Sequence, residues 1–213
     1  MFELDRITPG SLPTFLRRWY GPPDRGAADV DPAIVMPDLL RDWYRLTSQW
    51  SVPLSRHNHF SAPEDLRRRG DLLVFWDENQ GAASWATKIT GSDPLVYENE
   101  VDEEDDGWEC TGFTLSEFLV YVAASEAVYG DPNLVVNFDM DETQYESVVS
   151  RFLMLRHPIW SHPHPGWHYM AADNLLAQGG NRPPTGGGPE RYWIMVSAND
   201  PKALTRLPQG LFD

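Results

Sequence analysis

The positions of apolar residues along the chain predict three amphipathic helices in its first two thirds. In residues 11–20 the apolar side chains share one helical face behind Ser11, a plausible N-cap. The segment from Met36 to Trp50 repeats apolar residues at four, three and four positions, which predicts a second helix. T-L-S-E, beginning at Thr114, is a capping box and predicts a third helix that ends near Gly130.

Short apolar or alternating runs lie between the second and third helices and predict strands. Residues 72–76 are wholly apolar and bounded by turn residues, which is typical of a buried strand. Residues 83–89 alternate, and residues 95–97 and 108–110 continue the pattern on either side of the acidic insert ENEVDEEDDG. The insert cannot bury its charges, so we expect an exposed loop or hairpin tip.

The last third of the chain is less regular. It predicts a helix over residues 141–149, a Gly/Pro loop over 178–189, a strand over 192–196 and a short helix starting at Asp200. Helices, antiparallel strands and a mixed tail in this order indicate an α+β fold. The length fits one domain over residues 1–213, with 131–213 as a C-terminal part or extension.

Charge is distributed very unevenly along this chain. The net charge is −15, yet residues 89–150 hold sixteen Asp or Glu and no Lys or Arg, so the remainder is close to neutral. Such a field repels nucleic acid and membrane surfaces and attracts a basic partner. The basic cluster at residues 67–69 has acidic neighbours, which also argues against nucleic-acid binding. The alternative is a solvated acidic face that only aids solubility.

Four histidines could suggest a metal site. His157, His162, His164 and His168 lie in a stretch rich in proline and tryptophan, and their spacing matches no known zinc pattern. Packing among tryptophans is the alternative, and the acidic insert lacks the spacing of a calcium loop. We therefore expect neither a metal nor any other cofactor.

The sequence offers no recognisable catalytic nucleophile. The G-x-S-x-G elbow is absent, and Cys110 follows an acidic residue and is expected to be a small strand hydrophobe. A lone cysteine cannot form an internal disulfide, and the start MFELDRIT lacks a signal-peptide pattern. The apolar run at residues 113–129 is too short and polar to cross a membrane. We expect a cytoplasmic protein that is not an enzyme.

Several segments resemble the SUKH superfamily. They are PDLLRDWYRLTSQW, GDLLVFWDENQGAASWATKITGSDPLVY and FTLSEFLVYVAASEAVYG, and the resemblance covers about residues 12–130. It implies a twisted, mainly antiparallel sheet with helices packed against it and no catalytic residues. Many bacterial members are immunity proteins that neutralise toxins such as nucleases and deaminases, and fungal relatives regulate cell-wall synthesis.

The resemblance and the charge together predict an immunity protein whose partner is a basic cognate toxin. The alternatives are a regulatory adaptor or scaffold without a toxin partner and a metalloprotein built on the four histidines. Trp108, Tyr97 and Trp85 are candidate anchors, although Trp85 lies on an alternating strand and is expected in the core. The expected partner-binding residues are Asp102, Glu103, Glu104, Asp105, Asp106, Glu98, Glu100 and Trp108.

Overall fold

The computed structural model describes residues 9–100, 107–155, 167–182 and 189–212 and confirms the α+β fold. The chain divides into two compact units. The central unit is Gly21–Glu126, and the flanking unit combines Met1–Tyr20 with Ala127–Asp213. Each unit has its own antiparallel sheet.

The described residues form four α-helices and eleven strands, besides short 3-10 helices at Pro9–Ser11, Pro63–Asp65 and Pro201–Arg206. The helices are α1 (Leu12–Tyr20), α2 (Asp38–Thr47), α3 (Leu115–Tyr129) and α4 (Glu142–Val149). The strands of the central unit are β1 (His59–Phe60), β2 (Arg67–Arg69), β3 (Leu72–Asp77), β4 (Ala83–Lys88), β5 (Leu95–Glu100) and β6 (Glu109–Thr114). Those of the flanking unit are β7 (Val135–Met140), β8 (Leu153–Met154), β9 (His168–Ala172), β10 (Leu175–Arg182) and β11 (Arg191–Ala198). Among these described residues, no helix has both the length and the apolar character that a membrane span requires.

Aromatic packing holds the central unit together. Its sheet has the order β1-β3-β4-β5-β6, with β2 paired to β3, and all of its pairings are antiparallel. Trp76 and Trp85 face each other across β3 and β4 with ring centroids 4.5 Å apart. Phe118 of α3 meets the Trp76 ring edge-on at 5.6 Å. These large buried rings supply much of the apolar area of this unit.

The capping box expected at the start of α3 is confirmed. The backbone N–H of Thr114 donates to the Glu117 carboxylate at 3.0 Å, and the backbone N–H of Glu117 donates to the Thr114 hydroxyl at 3.4 Å. These contacts satisfy donors that have no partner within the helix. The helix ends at Tyr129, close to the expected end at Gly130.

The flanking unit contains a second sheet that the apolar pattern did not reveal. Its order is β7-β11-β10-β9-β8, and one face packs on α4 through a mainly aliphatic core. Asp141 caps α4 by accepting from the Gln144 backbone N–H at 2.8 Å. The loop expected over residues 178–189 is wrong for its first five residues, because β10 continues through Arg182. Glycine at position 179 serves close strand packing, since a Cβ there would lie 2.7 Å from the Trp193 carbonyl oxygen.

Candidate protein-binding site

The hairpin formed by β5 and β6 carries the described part of the expected acidic site. Glu100 and Glu109 are exposed, and Glu98 is half-buried with its carboxylate accepting from Trp85 Nε1 at 3.0 Å. Glu98 lies directly opposite Glu109 in the strand pairing. Like charges at opposed positions destabilise a sheet, so this pair concentrates charge at some cost in stability. We call Glu98, Glu100 and Glu109 the acidic hairpin.

The aromatic residues proposed as anchors pack on the protein itself. Trp108 and Tyr97 are half-buried against a small cluster that contains Leu72, Val74 and Ala86. Trp85 is 1% exposed and belongs to the core, as its alternating strand indicated. The hairpin therefore presents Glu100 and Glu109 to solvent, whereas Tyr97, which precedes Glu98 along β5, lies on the other face of the sheet.

Some expected site residues lie outside the described part of the chain. These are Asp102, Glu103, Glu104, Asp105 and Asp106 of the insert. His157, His162 and His164 also lie outside it, whereas His168 is half-buried at the start of β9. Within the described ranges, no three His, Cys, Asp or Glu side chains are grouped so that they could hold a metal ion.

Cys110 differs from its expected environment. It lies on β6, as expected of a strand residue, but it is exposed rather than buried. Strand β6 is the last in the sheet order, so its outer edge pairs with no further strand among the described residues. The expectation of a buried hydrophobe is therefore wrong in its burial.

Much of the acidity between residues 89 and 150 is used inside the protein. Asp93 accepts from the Ser116 backbone N–H at 2.9 Å, and Asp131 accepts from the Ala198 N–H at 2.7 Å. Asp139 pairs with Arg191 at 2.7 Å. These carboxylates cap or brace neighbouring elements, so the sequence count overstates the charge that is free to bind a partner.

The central unit also has an open cleft of about 660 Å³ that the sequence did not reveal. Its volume lies in the range of ligand-binding pockets, and the lining combines aromatic rings, prolines and carboxylates. The lining residues are Ala28, Asp29, Val30, Asp31, Ile34, Trp43, Tyr44, Thr47, Ser48, Trp50, Ser51, Val52, Pro53, Leu54, Ser55, Phe60, Ser61, Ala62, Pro63, Glu64 and Val122.

Hydrogen bonds from α2 hold two walls of this cleft. The Arg41 guanidinium donates to the backbone carbonyl oxygens of Val30 and Ile34, at 3.2 and 2.6 Å, and so fixes the first wall. The Tyr44 hydroxyl donates to the Ser61 carbonyl oxygen at 2.7 Å and holds a second segment of the lining. A cleft braced in this way is already shaped for a ligand, which lowers the entropy lost on binding.

A buried carboxylate on α3 holds the loop at one end of the cleft. Glu126 is 1% exposed and accepts three backbone N–H bonds, from Arg56 at 2.6 Å, His57 at 2.8 Å and Asn58 at 2.9 Å. Burial raises the pKa of Glu126, and the three hydrogen bonds oppose that rise. The signal in the sequence was a Glu in the apolar second half of α3, where the other neighbouring side chains are small or apolar.

Comparison with known proteins adds no identification. No protein-family model matches the chain, and no curated protein or solved structure matches it either.

Proposed function

We propose that this protein is a non-catalytic binding domain, an immunity protein that neutralises a basic bacterial toxin through its acidic surface. The observation that carries the proposal is the acidic hairpin, in which Glu100 and Glu109 are exposed, within a run of residues 89–150 that contains no Lys or Arg. Nuclease and deaminase toxins present basic clefts to nucleic acid, so an acidic protein can bind in the same cleft. The SUKH resemblance supports this choice and remains a prediction.

The acidic hairpin is the part of this surface that the proposal uses first. Its opposed Glu98 and Glu109 keep two negative charges together where neutral residues would be more stable. A basic partner would relieve that repulsion on binding. The mechanism needs no covalent step, because steric blockade and charge complementarity are sufficient to occlude a toxin's cleft.

Co-expression with the basic protein encoded by a neighbouring gene tests the proposal. We expect this protein to restore growth of cells that produce that toxin, and the purified pair to associate more slowly as salt is raised. Replacing Glu100 and Glu109 by Lys should slow association about tenfold, because steering depends on the charge facing the partner.

The matched control places the same charge change elsewhere. Asp173→Lys with Glu190→Lys alters two exposed residues of the flanking unit that lie outside residues 89–150. If this protein does not restore growth, the proposed toxin-neutralising function is wrong. Equal slowing by both double variants would show that net charge, rather than the acidic hairpin, governs association.

A further inference from the structure

The cleft of the central unit has a charge pattern that selects for a cation. Among the described residues that line it, the charged ones are all carboxylates, Asp29, Asp31 and Glu64. Asp29 lies 3.5 Å from Arg45, in an exposed pair that contributes little. Asp31 and Glu64 form no ion pair with any residue in the described ranges. The Asp31 carboxylate accepts from the Ala33 backbone N–H at 2.8 Å, and the Arg41 guanidinium donates to the Asp31 carbonyl oxygen at 3.2 Å, so Glu64 is the carboxylate with the least compensation.

Aromatic rings lie beside these carboxylates. Tyr44 and Phe60 are half-buried, and their ring centroids lie 5.4 Å apart in an edge-to-face pair. Burial, and secondly the negative charge of Glu64, raise the pKa of Tyr44, so the field of that carboxylate reaches the phenol. A ring next to a carboxylate offers a cation both π-electron density and a counter-charge.

We propose that this cleft receives an arginine side chain carried on a basic segment of the partner protein. A guanidinium is planar, so it can stack on Tyr44 while its N–H groups donate to Glu64, and Asp31 adds negative charge to the lining. Val52 and Pro53 at the exposed rim offer apolar contact to the arginine stem. The proposal rests on the proposed function only for the basic character of the partner, and it places binding at a site separate from the acidic hairpin.

Charge complementarity favours arginine over an apolar occupant. Inserting an apolar side chain would desolvate the Glu64 carboxylate, which has no ion-pair partner in the described ranges, without compensation, and this is unfavourable. A lysine offers a point charge without the planar stacking surface, so it should bind more weakly. The braced walls require no reshaping before the segment enters.

NMR chemical-shift mapping on the intact protein tests the proposal. The probe is the acetylated and amidated tripeptide Arg-Gly-Arg, and the control is the same peptide with citrulline, which keeps the shape and removes the charge. We expect the arginine peptide to shift backbone amides of Tyr44, Ser61 and Glu64 and the indole N–H of Trp50. The citrulline peptide should shift none of these signals.

A pair of double variants separates the cleft from general charge effects. Asp31→Asn with Glu64→Gln removes two carboxylate charges from the lining and should weaken peptide binding about tenfold, as expected for the loss of a charge-assisted contact. Asp42→Asn with Asp65→Asn removes two charges from exposed residues of the same unit that do not line the cleft. This control should change the affinity less than about twofold, because exposed charges outside a site are screened.

The outcomes are distinct for this cleft and for the proposed function. Shifts confined to the acidic hairpin would overturn the cleft proposal and leave the proposed function standing. Shifts in neither region, or equal losses in both double variants, would overturn the cleft proposal as well. Stronger binding of tetramethylammonium than of the peptide would also overturn it, because the occupant would then be a small cation.

Discussion

The flanking unit and the central unit use their carboxylates differently. In the flanking unit, Asp131 holds the Ala198 N–H, Asp139 pairs with Arg191 and Asp141 caps α4. Each of these carboxylates makes a contact that stabilises the fold of the flanking unit. The negative charge of this unit between residues 127 and 150 is therefore largely structural.

The central unit contains both a fully buried carboxylate and carboxylates that line an open cleft. Glu126 is buried and fully engaged with backbone donors, whereas Asp31 and Glu64 line an open cleft without an ion pair in the described ranges. Neither extreme can be told from the sequence, in which all of these residues are simply acidic. The difference teaches that charge identifies a binding surface only after the structural carboxylates have been removed from the count.

Truncating Glu126 should have the largest effect on stability. Glu126→Ala leaves the N–H groups of Arg56, His57 and Asn58 without their buried acceptor, and we expect a loss of about 3 kcal/mol in the free energy of unfolding. Urea denaturation measures that loss. Hydrogen exchange should also accelerate at these three amides.

Glu109→Ala is the matched control for the Glu126 truncation. It removes an exposed carboxylate from the same unit and should change stability by less than about 0.5 kcal/mol. A similar loss in both variants would mean that Glu126 has no special structural role. The distinction between carboxylates that hold the fold together and exposed carboxylates would then be wrong.

Tight strand packing in the flanking unit should give the next largest effect. A Cβ at position 179 would lie 2.7 Å from the Trp193 carbonyl oxygen and 3.1 Å from Ile194 Cγ1, so Gly179→Ala must displace β11. We expect a loss of about 2 kcal/mol in the free energy of unfolding, measured by urea denaturation.

The control for this crowding is Gly26→Ala. Nothing lies within 4 Å of a Cβ at position 26, and the residue is exposed. We expect a change of less than about 0.5 kcal/mol. If Gly179→Ala is equally mild, β10 and β11 can separate without cost, and the flanking unit is less rigid than its packing indicates.

Local signals explain which elements the sequence predicted. Helices α1 to α4 carry their own periodicity or capping residues, such as the Thr114 box, so each could be recognised within one short window. Strands β3 to β6 were likewise bounded by turn residues. The SUKH resemblance concerned residues 12–130 and remains a prediction, as does the immunity function.

Non-local pairing explains what was missed. The β10 sequence LLAQGGNR does not alternate, and its adjacent glycines read as a loop until β9 and β11 pair with it. The cleft was missed because its walls are fixed by backbone carbonyl oxygens bound to Arg41 and Tyr44. Every residue has a backbone carbonyl oxygen, so no residue type in the sequence indicates that such a contact forms.

Opposite pH responses should give the smallest effect and the sharpest comparison. Burial raises the pKa of Glu126 above its ordinary value of 4.5, so its contribution to stability is complete below that value and is lost as pH rises through the folded pKa. The hydrogen bond from Arg191 lowers the pKa of Asp139 below 3.8. Its contribution is therefore present above 3.8 and is lost as pH falls through the folded pKa.

Urea denaturation of wild type, Glu126→Gln and Asp139→Asn from about pH 3 to about pH 8 measures both responses. The stability difference between wild type and Glu126→Gln should shrink as pH rises, whereas that between wild type and Asp139→Asn should grow. The Asp139 response should be the weaker one, because this residue is exposed and solvent screens its pair with Arg191. Two differences that change in the same direction with pH would contradict the division between a buried carboxylate in the central unit and an ion-paired one in the flanking unit.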